Sequence, residues 1–145
     1  MFSKTCEYGI RAAIYVAVQS LANKRAGLKD IAREIDSPEA FTAKILQQLS
    51  RTDIITSHKG PSGGFVIQLD KMADIFLSDI VLALDGDSIF KTCGLGLKEC
   101  SEKQPCPVHN KFKAIRTELK NMLNQTNLLD LAVGYSKGKT YLKLN

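Results

Sequence analysis

Apolar side chains return at every third or fourth position from Cys6 to Leu21 (Cys6, Ile10, Ala13, Ile14, Ala17, Val18, Leu21), the stripe of an amphipathic helix. Cys6 belongs to that stripe and reads as a small core residue. After a break at 23–27, Leu28, Ile31, Ala32 and Ile35 mark a second helical face, which Asp36 and Pro38 close. A third helix is predicted from Ser37, as its cap, with Pro38 in the first helical position. Phe41, Ile45, Leu46 and Leu49 turn inward there, and Thr42, Lys44, Gln47, Gln48 and Arg51 turn outward. The period then changes. Ile54–Ile55 opens one short β-like run and Phe65–Leu69 forms another, with KGPSGG between them as the turn of a hairpin. Helical spacing resumes over 73–84 and again from about Pro107, where Phe112, Ile115, Leu119, Met122 and Leu123 form a narrow stripe on a strongly charged helix. Leu128, Leu129 and Leu131 predict one more short helix.

Two short helices joined by a tight turn, with a glycine-rich hairpin directly after, form the order of a winged helix-turn-helix. The fold class predicted is mainly α with a small β-hairpin wing, continued by a long C-terminal dimerisation helix. The parts are a DNA-binding domain at 1–84, a cysteine-containing loop at 85–107, a dimerisation region at 108–134 and a flexible tail at 135–145. Lys44 and Gln47 are suited to base edges of duplex DNA, lysine to guanine and glutamine to adenine. Ser37, Thr42 and Arg51 are candidates for phosphate contacts, and His58 and Lys59 stand at the tip of the wing, where a cation can enter the minor groove. The long helix would best bury its stripe against a second copy of the chain.

The helical pattern is interrupted by CGLGLKECSEKQPCPVH, which holds Cys93, Cys100 and Cys106 within fourteen residues and His109 three residues later. Thiols gathered on a polar loop can converge on a soft metal or a cluster. A structural zinc site is also open, although its cysteines usually stand two to four residues apart, and so is a thiol switch working through a disulfide. At 145 residues and 44% apolar composition the chain can build a true core, so these cysteines are not needed as staples. The net charge of +5 permits a polyanionic partner without demanding one. The longest apolar run is broken by Arg11 and Gln19, and no leader pattern opens the chain, so a cytoplasmic protein with reduced thiols and no membrane partner is expected. No nucleotide-binding loop, catalytic acid–base pair or substrate pocket is recognisable; the chain does not read as an enzyme, and no small-molecule substrate is expected.

The opening EYGIRAAIYVA, LKDIAREI, KILQQL, the wing KGPSGGFVI and the three loop cysteines together resemble the bacterial family of IscR-like and NsrR-like regulators. The resemblance covers nearly the whole chain apart from the tail. It implies a homodimer that binds a partly palindromic double-stranded operator; a repressor is expected. It also implies a [2Fe–2S] or [4Fe–4S] cluster on Cys93, Cys100 and Cys106 that senses nitric oxide, redox or iron–sulfur status. His109 matches the fourth ligand of the IscR-like branch. The NsrR-like branch takes a carboxylate near the N-terminus, where Glu7 stands beside Tyr8. Alternatives are a DNA-binding regulator using the cysteines as a thiol switch or zinc site, or an electron-transfer protein.

Overall fold

Helix α1 (Lys4–Leu21) is the axis of the molecule. Ser3 caps it, its hydroxyl accepting from the Cys6 amide at 3.0 Å, and Cys6, Ala12, Ala13, Val16 and Ala17 are wholly buried along one side. The computed structural model describes residues 1–144. Helices α2 (Leu28–Glu34) and α3 (Glu39–Arg51) pack on α1, and their turn is made by Asp36 in the left-handed conformation (φ 54°). Strands β1 (Thr56–His58) and β2 (Gly64–Val66) form an antiparallel hairpin, Thr56 opposite Val66 and His58 opposite Gly64. Helices α4 (Leu77–Asp85), α5 (Ser88–Lys91), α6 (His109–Gln125) and α7 (Leu128–Ser136) complete the chain.

The architecture is the helical one with a small two-stranded sheet that the sequence predicts. One main core joins α1, α2, α3, the strand β2 side and α4, and α7 returns to close it: Leu128 and Ala132 are fully buried beside the α1 residues. A smaller cluster of Cys6, Val81 and Leu123 joins α1 and α4 to α6. Where α1 passes α4, Gly9 makes room: a Cβ there would stand 2.1 Å from Leu84 Cδ1. Among the described residues, no helix is long and apolar enough to cross a membrane.

Several local features depart from the predicted pattern. The helix expected over 73–84 is two pieces, a single 3₁₀ turn (Met72–Asp74) and α4, because residues 75–76 are drawn out as extended backbone. Leu77 N donates to Thr126 O and Leu128 N to Ile75 O, both at 2.9 Å, a bridge across fifty residues. Asp79 then accepts from the Phe76 amide at 2.8 Å and starts α4. Helix α3 begins one residue later than expected: Pro38, not Ser37, is its cap. Ala26 pairs with Phe65 in both directions (3.0 and 2.8 Å), so the wing has a third backbone partner. A helical turn, α5, lies inside the stretch expected to be loop. In the tail, Tyr135 and Ser136 still belong to α7, Leu142 packs on the core and Lys143 Nζ donates to Arg33 O at 3.2 Å; Asn145 lies outside the described residues.

Candidate functional site

Two surfaces carry the chemistry. On the first, α3 presents Lys44, Gln47 and Arg51 to solvent, and His58 and Lys59 are exposed at the wing tip. The side of α3 formed by Ile45, Leu46 and Leu49 is buried, and this fixes which residues point out. Thr42 is a correction. It is fully buried, and its hydroxyl donates to Pro38 O at 2.8 Å, so it does not face the outward surface of α3. Its spacing, three before Ile45 and seven before Leu49, places it on the apolar face; polarity alone suggested otherwise. Ser37 is half-buried with its hydroxyl 2.5 Å from that of Thr42, which makes it part of the turn between α2 and α3. Gln48 reaches away from this surface, its amide donating to Ala83 O at 3.0 Å and tying α3 to α4. Arg25, which the sequence reading did not single out, donates from Nη1 to Ser62 O at 3.0 Å and holds the wing turn.

The second surface is the cysteine segment and the start of α6. Cys93 is buried, and its sulfur accepts from the Leu95 amide at 3.4 Å. The amides of Leu95 and Leu97, and then the Cys106 side chain, hold the Cys93 thiol below its usual pKa of 9.0. Cys100 Sγ lies 3.4 Å from Nδ1 of His109, itself buried in the first turn of α6. Arg116 donates to the same sulfur from Nη2 at 2.9 Å. A cleft of about 260 Å³ opens between α5 and α6, lined by Phe90, Cys100, His109, Lys113 and Arg116. Lys113 pairs with Glu102 at its mouth and keeps that carboxyl below its usual range.

Of the four sequence-predicted ligands, Cys100 and His109 are in direct contact, and the Cys106 side chain contributes to lowering the Cys93 thiol. Among the described residues no three or more His, Cys, Asp or Glu side chains are arranged as a metal site. The donor set nonetheless suits a soft centre: three thiols and an imidazole, one thiol already surrounded by amide donors. Glu7 is paired with Lys4 at 3.0 Å, and Tyr8 packs edge-on against Phe41 with Arg11 over its ring. Cys6 is a core residue: burial, reinforced by the nearby Asp85 carboxylate, pushes its thiol up to about 12. Arg116 was legible in principle, since it follows His109 by seven residues and shares its helical face.

The family model of Rrf2, described as an iron-dependent transcriptional regulator, matches residues 2–134. The chain belongs to the Rrf2 family. It is 31% identical over 134 residues to an Aquifex aeolicus protein described as an HTH-type transcriptional regulator, a match covering 90% of each chain. Two solved structures share the Rrf2 fold. CymR, described as the global cysteine regulator of B. subtilis, superposes with a TM-score of 0.73 at 23% identity over 92% of this chain and 96% of its own. IscR of T. potens superposes with a TM-score of 0.74 at 17% identity, over 97% and 91%. As a member of the Rrf2 family the chain is a DNA-binding transcriptional regulator of helix-turn-helix type.

Proposed function

We propose that the protein is a homodimeric operator-binding repressor whose cysteine segment holds an iron–sulfur cluster and reports nitric oxide, redox or iron–sulfur status. The observation that carries this reading is the pairing of Cys100 Sγ with His109 Nδ1 at 3.4 Å beside a Cys93 sulfur held by backbone amides. Cys93, Cys100 and Cys106 would be the thiolate ligands and His109 the fourth. When bound, the cluster supplies a centre that reacts with oxidants and nitric oxide. The chain's own residues do the rest. The Leu95 amide orients Cys93, α6 presents His109, and the segment between α5 and α6 is fastened to the helix that carries the exposed Ile115 and Met122 (59% and 46% exposed). Those two residues are the surface on which a second copy would pack. Lys44 and Gln47 would read bases, Arg51 would bond phosphate, and Lys59 with His58 would approach the minor groove.

A metal ligand can shift regulation only through its different affinity for two arrangements of the dimer. Two heads read half-sites a helical turn or a multiple apart, so a small change in α6 costs contacts on both sides. A second reading is supported by the lowered Cys93 thiol and its neighbour Cys106, which are a candidate disulfide pair.

Oxygen-free purification separates the two. Iron with labile sulfide supports the cluster, zinc alone replaces it, and a metal-free protein that loses two thiols on oxidation supports the disulfide. Cys100→Ser should lose iron and sulfide to background while keeping the oligomeric state of the unsubstituted protein. A Cys100→Ser protein that keeps its full iron and sulfide content would remove Cys100 from the ligand set.

A further inference from the structure

The Arg116 guanidinium splits between two acceptors. Nη1 donates to the Thr92 carbonyl at 2.7 Å and Nη2 to the Cys100 sulfur at 2.9 Å. Thr92 directly precedes the first loop cysteine and Cys100 is the second, so one side chain on α6 closes the segment between them into a loop. One turn earlier, Phe112 lies over that loop at Gly94, where a Cβ would stand 2.5 Å from the ring. The neighbouring Lys113–Glu102 pair is exposed and adds little. A planar guanidinium can serve two acceptors at fixed angles, which a compact ammonium does not do.

We propose that Arg116 is the positioning residue that couples the occupancy of Cys100 to the placement of the cysteine segment on α6. The inference rests on Cys100 being a ligand of the proposed cluster. Arginine only donates and stays charged, so it demands an acceptor at both ends. A metal-bound thiolate keeps lone pairs that can accept this bond. A cationic donor on a ligand sulfur favours the more negative, reduced form of the centre and raises its reduction potential.

Two measurements test this on the full-length protein. The first uses metal-free, reduced protein and follows hydrogen exchange of the backbone amides of residues 92–100. Arg116→Ala should exchange about tenfold faster there, and Arg116→Lys should restore little of the protection, having no fork. The second uses protein loaded with iron and sulfide and reads the midpoint potential. Arg116→Ala should move it negative by about 59 mV, a tenfold change for a one-electron couple, and Arg116→Lys, which keeps the cation, should move it less. Unchanged exchange in Arg116→Ala overturns the proposal. Faster exchange with an unchanged midpoint reduces Arg116 to a structural strap and overturns the coupling. Unsubstituted protein that takes up neither iron nor sulfide sinks the cluster reading and the coupling with it, while the metal-free arm still decides whether Arg116 fastens the loop. Should Arg116→Ala fail to fold, Arg116→Lys makes the same comparison in the first measurement.

Discussion

The DNA-reading head and the cysteine segment are held together by different forces. In the head, Ile31, Ile35, Ile45, Leu46, Leu49 and Ile55 are almost wholly buried against residues of the same chain. In the segment, Leu95 and Leu97 are more than half exposed, and on α6 so is Ile115. What orders the segment is largely polar: an amide on Cys93, an imidazole on Cys100, a guanidinium across Thr92 and Cys100. Burying a large aliphatic side chain is worth about 1.5–3 kcal/mol, whereas a hydrogen bond nets about 1 kcal/mol. A region built from the second kind of contact can respond to a bound centre or an altered thiol without unfolding the first. The division suits the proposed sensor, in which the reading surface would stay constant while the cysteine segment changes.

The comparison breaks most decisively through truncations in each region. Ile45→Ala should destabilise the chain by about 2–5 kcal/mol in urea unfolding, since Ile45 is 1% exposed. Ile115→Ala, on an exposed position, should cost less than about 0.5 kcal/mol at concentrations where the chain is monomeric. Equal losses would mean that α6 is as much a part of the core as α3.

Within the head, the buried and outward faces of α3 should separate in the same way. Lys44→Ala and Gln47→Ala should each cost about 1–3 kcal/mol in discrimination between operator and random DNA, with the fold intact. Thr42→Ala should instead lower stability and leave discrimination alone, because its hydroxyl is spent on Pro38 O. Paired titrations on the two DNAs, beside urea curves, measure both. Loss of discrimination in Thr42→Ala would return that residue to the interface.

A pH-dependent effect distinguishes the two kinds of cysteine. The Cys6 thiol sits at about 12 in the folded chain against the usual 9.0, so its contribution is fully present below pH 9 and is lost as pH rises toward 12. The Cys93 shift has the opposite sign: its contribution is present above pH 9.0 and fades as pH falls through the lowered value. Relative to Cys6→Ala, the unsubstituted protein should lose about 1.4 kcal/mol per pH unit above pH 9, read from urea midpoints at successive pH values. Parallel pH curves for the two proteins would place Cys6 outside the core.

The sequence by itself determined the order of the main helices, the wing and the segment that carries three thiols ahead of His109. Side-chain direction follows the backbone period, and that period is written locally; Cys6 among apolar residues at helical steps was readable as core for this reason. Thr42 obeys the same rule: its position on the helix, not its polarity, sets its direction. Other features had no local signature. The pairing of Phe76 with Asn127, of Ala26 with Phe65 and of Arg116 with both Thr92 and Cys100 joins positions 16 to 51 residues apart. Only the tertiary structure decided these, because a donor finds its acceptor through the path of the whole chain. Periodicity specifies which face of an element is apolar; it does not specify which neighbour will lie against that face.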